Sequence, residues 1–419
     1  MRSMSAANDW LSETSRQALM TRLAVLYALL FIATTLLVTF LTPGLLNGER
    51  GVIGADFLAF YTAADMTLQG RALEAYDFAA FDAALQTRAP SEQLGMMWQY
   101  PPVMFVIIAP LALLPYKLSY WLWMAMTAGV YAFAVKRLTE AVAPDRAVIY
   151  RALALIVAAP FCVGVIINGQ ISLLTAALLM LAAYKPKTQW WLAGLAAGLL
   201  TVKPQLGLLI PVAFILAGAW RAFAVAALVG IALHAVSLLV FGPESLMAFF
   251  AAVSRLQADV VGSGLHTPPM NMTTVFGQLR HWGVPGEVAL SLQYASAAAV
   301  FSLVSWAWWR HAADETQSLY LAALLCSGAI LVTPYAYAYE MAALAPAALW
   351  LAFRPSQIRV YAPLIFAGFW LVLALRRFLP MDFVLQMPFW VSISVFGLLI
   401  LARPLRATER ASQLAFAPR

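Results

Sequence analysis

Gly54-Ala55-Asp56-Phe57-Leu58-Ala59-Phe60-Tyr61-Thr62-Ala63-Ala64-Asp65 follows a long apolar run and a Pro43-Gly44 turn, which places Asp56 where the chain leaves a membrane. Phe57, Phe60, Tyr61, Ala64 and Leu68 recur at helical spacing, and Gly70 is placed to end the helix. The pattern predicts a short amphipathic helix on the bilayer surface with a carboxylate at its start. Two roles are open to that carboxylate. Asp is a favoured N-cap and suits the positive end of a helix dipole. It is equally a group that takes a proton from an attacking hydroxyl.

The surrounding chain is built for lipid. Of its 419 residues 63% are hydrophobic and 11% charged, with a mean hydropathy of +0.81. A soluble domain has about 45–50% apolar and about 25% charged residues. A polytopic all-α membrane protein is the expected class, in one domain covering 1–419. The first apolar run, Leu23 to Leu41, is too long for a signal-peptide core and lacks a small-residue cleavage site, so it reads as a span. Cys162 and Cys326 fall inside apolar runs and read as small core residues. The four histidines show no paired spacing, so no metal site is expected. The net charge of +7 follows membrane topology in its placement, which argues against a nucleic-acid partner.

Twelve crossings are expected, at roughly 21–42, 117–135, 148–167, 171–184, 189–202, 204–218, 222–241, 287–308, 318–333, 337–352, 359–376 and 388–402, with cytoplasmic tails at 1–20 and 404–419. The piece 101–115, opened by Pro101-Pro102 and closed by Leu114-Pro115, is short for a crossing of about 20 residues and reads as a half-depth helix. Two long segments, 44–100 and 242–285, lie on the outer side. A surface helix is predicted near 78–86, with Asp77 as its cap. This topology puts 17 of the 26 Lys and Arg residues in the cytoplasmic loops and tails, although the outer loops are longer. It therefore obeys the positive-inside rule, whereas a full span at 101–115 would invert it.

The unusual polar residues then collect on the outer, periplasmic face. They are Asp56; Asn168-Gly169-Gln170; Lys203-Pro204-Gln205; Arg255, His266 and Arg280 in 242–285; and the join Thr333-Pro334-Tyr335-Ala336-Tyr337-Ala338-Tyr339-Glu340. Lys203 reads either as a snorkelling lysine or as the cation for a phosphate at the membrane surface. Glu340 reads as a partner for Lys203 or an arginine, or as a functional acid. Asn168 and Gln170 either close a tight turn or hydrogen-bond a polar substrate. The tyrosines of the join are of the type that forms an interfacial belt.

With these motifs in place, the chain resembles polyprenyl-phosphate-dependent glycosyltransferases of the GT-C type, and among them the bacterial glycosyltransferase family 87. The resemblance is carried by Gly54-Ala55-Asp56-Phe57 with Tyr61 and Gly70, Tyr76-Asp77, Tyr100-Pro101-Pro102 with Pro110 and Leu114-Pro115, Asn168-Gly169-Gln170, Gly198 through Lys203-Pro204, and Thr333-Pro334 through Glu340, over about residues 20–355. It implies a sugar donor carried on a polyprenyl monophosphate and used on the periplasmic side of the bacterial inner membrane. It implies an outer aspartate as catalytic base, which maps to Asp56. Mycobacterial mannosyltransferases of this family carry histidines after the later Ser/Thr-Pro, where this chain has Tyr339 and Glu340.

The expected chemistry is an inverting, metal-independent transfer of a hexose, mannose first, to a glycolipid or glycan acceptor. Asp56 takes the acceptor's proton, and Lys203 with Arg255 or Arg280 neutralises the leaving lipid phosphate. Tyr61, Tyr100, Asn168, Gln170, Gln205, His266, Tyr339 and Glu340 are the expected substrate contacts. No cofactor beyond the lipid-linked donor is implied. The rival readings are a transporter or lipid-linked-sugar flippase, which would place broken helices near the midplane with repeat symmetry, and a non-catalytic assembly subunit in which Asp56 is only a cap.

Overall fold

The computed structural model describes residues 54–89, 95–140, 159–262, 272–353 and 380–402, with scattered positions in 22–41 and 149–156. The expected span at 21–42 and the first part of that at 148–167 fall largely outside these residues. The span at 359–376, His266 and both tails fall wholly outside them.

Among the described residues every regular element is a helix, and β structure is confined to one antiparallel bridge, Met272 with Tyr337. Helices α1 (Ala55–Leu68) and α2 (Phe78–Arg88) come first, then the short α3 (Val103–Ile108), which continues as a 3-10 turn to Leu113. Next come α4 (Tyr116–Glu140), α5 (Pro160–Asn168), α6 (Ser172–Ala183), α7 (Trp190–Leu199), α8 (Ile210–Ala217) and α9 (Trp220–Phe241). The last of the described helices are α10 (Glu244–Gly262), α11 (Val275–His281), α12 (Gly286–His311), α13 (Ser318–Val332), α14 (Ala345–Phe353) and α15 (Met381–Leu401).

Among the described residues five helices are long and apolar enough to cross a membrane: Tyr116–Glu140, Trp220–Phe241, Gly286–His311, Glu315–Val332 and Phe383–Leu401. They divide by position. Helix α13 is buried along nearly its whole length, whereas α9 leaves Leu228, Ile231 and Leu239 exposed, as lipid-facing side chains are. Four of the expected crossings are shorter: Ser172–Ala183, Trp190–Val202, Pro204–Ala217 and Ala338–Phe353. At 1.5 Å per residue these reach about 18–24 Å, against a hydrocarbon core of about 30 Å. Apolar composition runs through these segments without showing that Gly169, Lys203-Pro204 and the Thr333–Tyr337 join cut them short.

The first helix also departs from expectation. Phe57, Leu58, Phe60, Thr62, Ala63, Ala64 and Met66 are all buried, so α1 is enclosed on most sides and does not lie open on the bilayer. Tyr61 donates to the Leu114 carbonyl at 2.8 Å and Tyr116 to the Gly54 carbonyl at 3.0 Å, which lash α1 to the end of the 101–115 piece and to the start of α4. A short apolar helix, Val103–Leu113, occupies the 101–115 piece, and Asp77 caps α2 through the Ala80 N–H at 2.9 Å, as predicted.

Helices α7 and α9 pack closely through Gly194 and Gly198, four residues apart on one face. A Cβ at Gly194 would lie 2.6 Å from the Ala222 carbonyl oxygen and from Val225 Cβ, and one at Gly198 would lie 2.5 Å from Val229 Cβ. Small residues at this spacing let membrane helices approach through their backbones. Gly198→Ala is therefore expected to destabilise the protein by about 1–3 kcal/mol, the usual cost of overpacking, despite the better helix propensity of alanine. Gly129→Ala, where an added Cβ meets nothing within 4 Å, is the control. Thermal unfolding of both variants in one detergent checks this; equal shifts would rule out the tight contact.

Candidate active site

Asp56 stands at the second position of α1. The cap position is Gly54, and no side chain caps the helix. The N-cap role is thus not the one Asp56 plays. Its carboxylate accepts instead from the Gln170 carboxamide, Nε2 to Oδ2 at 3.3 Å.

Gln170 reaches it because of how the Asn168-Gly169-Gln170 turn is seated. Gly169 has φ 71° and closes α5 in the left-handed conformation, and a Cβ there would run into Phe57 Cβ. The bare glycine therefore presses the turn against the first turn of α1, one residue from Asp56. Phe57 is held from its other sides by the rings of Tyr61, Tyr116 and Tyr120. The Asn168 side chain does not join the cluster: it donates to the Gly164 carbonyl of its own helix at 2.8 Å.

Three further segments converge here. The Tyr100 hydroxyl donates to Gln170 Oε1 at 3.0 Å. Lys203, at the break between the turns Leu200–Val202 and Pro204–Gly207, is 8% exposed and forms an ion pair with Glu340, itself 2% exposed. Glu340 Oε1 also accepts from the Ser172 hydroxyl at 3.1 Å. The Lys203 ammonium lies 5.3 Å from the centre of the Tyr339 ring, a cation–π distance. A lysine this enclosed is paired and not snorkelling.

The join that carries Glu340 is pinned by Thr273 and Thr274, ahead of α11, and by Gln293 of α12. The Thr273 N–H donates to the Ala336 carbonyl at 2.9 Å, the Thr274 hydroxyl to the Pro334 carbonyl at 3.0 Å, and Gln293 Nε2 to the Leu331 carbonyl at 2.8 Å. Helix α15 is tied to the same region: Gln278 Nε2 donates to Gln386 Oε1 at 2.7 Å, and Gln386 Nε2 lies 2.8 Å from His281 Nε2.

Asp56 remains half-buried, and its carboxyl is pushed up from 3.8 to about 6. Burial is the largest cause. The Lys203 charge and the Gln170 hydrogen bond both pull the other way. A carboxylate of this kind is mostly ionised at neutral pH yet basic enough to accept a proton.

The cluster is recessed. Gly198 of α7 packs on Val229 of α9, and Thr201 lies against Gly230. Lys203 follows Thr201 by two residues, whereas α9 runs on to Phe241. At 1.5 Å per residue that remaining stretch is roughly 16 Å. Lys203 thus sits just past the end of a short helix while its full-length neighbour α9 continues beyond it.

Asp56, Tyr100, Gln170, Lys203, Tyr339 and Glu340 thus gather from five separate stretches. Ser172 joins them without having been singled out; a hydroxyl opening an apolar helix two residues after Gln170 was the available signal. Several expected contacts do not join. Arg255 is exposed and donates to the Ala251 carbonyl of its own helix at 3.3 Å, and Arg280 donates to the Val284 carbonyl at 3.0 Å. Both guanidinium groups bond within their own segments, because each lies on a helix whose nearby carbonyls are within side-chain reach. Tyr61 is committed to Leu114, and Gln205 is half-buried in the turn after Lys203.

The model of glycosyltransferase family 87 matches residues 98–334. The polyprenol-phosphate-mannose-dependent alpha-(1-2)-phosphatidylinositol pentamannoside mannosyltransferase of Mycobacterium tuberculosis (strain CDC 1551 / Oshkosh) is 26% identical over 375 residues, which are 86% of this chain and 79% of that protein. No solved structure matches the chain.

Proposed function

The chain belongs to glycosyltransferase family 87, and from that premise we propose that it transfers a hexose, mannose first, from a polyprenyl-phosphate sugar to a glycolipid or glycan acceptor on the periplasmic side of a bacterial inner membrane. The observation that carries this reading is the convergence of one half-buried carboxylate and one buried cation where short apolar helices break off. A lipid-linked sugar keeps its prenyl chain in the bilayer and its phosphate near headgroup depth. A cluster beside helices that expose apolar side chains, as α9 does, suits such a donor better than it suits a soluble nucleotide sugar.

In the proposed reaction an acceptor hydroxyl attacks the anomeric carbon from the face opposite the phosphate. The C–O bond to the phosphate breaks, the configuration inverts, and Asp56 takes the hydroxyl proton. One carboxylate suffices, because the phosphate leaves as an anion and needs no acid. Lys203 meets the charge that develops on it. Tyr339 is assigned to the sugar, while Tyr100 holds Gln170 and Glu340 holds Lys203. A full complement of about twelve crossings, with cytoplasmic termini, remains part of this proposal.

Broken helices around a buried charged cluster are also how transporters build their sites. Family membership decides for transfer. The direct test is purified protein in nanodiscs with a polyprenyl-phosphate mannose and a lipid extract of the source membranes. Formation of a mannosylated lipid with inverted anomeric configuration is expected; transbilayer movement of the donor without a new glycosidic bond would overturn the proposal.

The raised Asp56 carboxyl gives a pH dependence. The base must be ionised, so kcat/KM is expected to fall as pH drops through about 6 and to level off above it. A profile flat down to pH 4.5 would exclude Asp56 as the titrating base.

A further inference from the structure

We infer that Gln170 is a positioning residue for Asp56, a side chain that orients the carboxylate and holds it ionised without touching the substrate. The inference rests on the reading of Asp56 as the base. Its ground is the hydrogen-bond arithmetic of one carboxamide. Gln170 Oε1 accepts from the Tyr100 hydroxyl at 3.0 Å and from the Ile171 N–H at 2.8 Å. The Ile171 N–H can only donate, so the flipped form, which would set an NH₂ group against it, is disfavoured, and the Tyr100 hydroxyl adds a second donor to the same oxygen. The NH₂ group is thereby turned to Asp56 Oδ2. An amide N–H can only donate, so it favours the carboxylate over the carboxylic acid.

The rest of the carboxylate is left for the reaction. Among the described residues Gln170 is the only hydrogen-bond partner of Asp56, and it occupies one oxygen. The other, Oδ1, is available to an acceptor hydroxyl. Gln170 itself is 5% exposed, with the Phe57 side chain jammed against the preceding Gly169. A residue so enclosed, with its carbonyl oxygen doubly engaged, has little left to offer a sugar. The charged and titratable groups facing Asp56 are Lys203, which favours the carboxylate, and Tyr100 and Tyr339 with Glu340 behind them. Gln170 is the neutral donor among them.

Three variants separate this role from substrate binding and from simple structure. Gln170→Glu keeps the acceptor oxygen for Tyr100 and Ile171 but replaces the donor with a second acid. Gln170→Leu removes the hydrogen bond. Tyr100→Phe removes one of the two locks and leaves the other. Asp56 ionisation is read directly, by infrared pH titration of the carboxyl band that Asp56→Asn abolishes, in purified full-length protein without substrate. The midpoint is expected to rise by about one pH unit or more in Gln170→Leu, further in Gln170→Glu, and by less in Tyr100→Phe. The acid limb of kcat/KM for transfer from polyprenyl-phosphate mannose should move with it, with the donor KM changed less than about threefold. A raised KM with an unmoved midpoint in Gln170→Glu would make Gln170 a substrate contact and overturn the inference. A lowered Tm with an unmoved midpoint would make it structural and do the same. A midpoint that moves while Asp56→Asn retains full turnover would instead sink the base reading and leave the positioning geometry intact.

Discussion

Asp56→Asn is expected to lower transfer by about 10²–10⁴-fold, the usual contribution of a general base. Asn is nearly isosteric, and Asp56 makes no cap that its loss would break. The Gln170 carboxamide still finds an acceptor in the Asn carbonyl oxygen, so the contact to the Asn168–Gln170 turn is kept. What disappears is proton acceptance. The effect should therefore fall on kcat, with the donor KM close to that of the wild type, and the acid limb near pH 6 should vanish from what activity remains. The measurement is turnover of polyprenyl-phosphate mannose by purified Asp56→Asn alongside its melting curve. Wild-type turnover would leave Asp56 a buried structural acid. A collapsed melting curve would mean that its ionised form supports the fold, which its elevated carboxyl argues against: burial disfavours the carboxylate, so neutralising the group removes a cost.

The sequence exposed Asp56 because a carboxylate beside Phe57 and Phe60 at a span's end is out of place, and it exposed Lys203 and Glu340 for the same reason: charges are costly in an apolar stretch. It could not show that these two charges meet. They are 137 positions apart, and only the break after Val202 and the join after Thr333 turn both inward. Gln170 was visible as a polar residue in a turn, but its task depends on Gly169 pressing against Phe57, a contact between distant segments. Arg255 and Arg280 looked suitable by charge alone. Their helices carry them into local bonds, and charge says nothing about direction. The depth of the site was hidden for a different reason. Composition counts apolar residues but not where a helix stops, so 12-residue Ser172–Ala183 and the 22-residue Trp220–Phe241 look alike until packing aligns them.

Breaking the Lys203–Glu340 pair from one side is expected to be the most damaging change to stability. Both side chains are almost fully enclosed, and Lys203→Met strands the Glu340 carboxylate with only the Ser172 hydroxyl. Removing one partner of a buried pair costs about 3–5 kcal/mol, whereas replacing both by uncharged groups of similar volume is often close to neutral. Lys203→Met/Glu340→Gln should therefore recover most of the stability lost in Lys203→Met. It should not recover transfer, for a reason that lies in how charge moves through the site. Before reaction Asp56 carries a negative charge and the donor phosphate carries one. As Asp56 accepts the proton, the departing phosphate gains the charge that Asp56 loses. Lys203 acts on Asp56 already, and its pairing with Glu340 fixes it there; in the proposed reaction the charge passes within its reach. A cation held there need not be unpaired to help; it must only interact more strongly with the charge as it arrives on the phosphate. The double variant should thus melt near the wild type and remain at least about 100-fold slower, the scale on which single electrostatic contacts to a developing charge are worth. Thermal unfolding and single-turnover transfer on the same preparations give both readings. Near-wild-type turnover by Lys203→Met/Glu340→Gln would reduce the pair to a structural strut and leave the leaving phosphate to another cation.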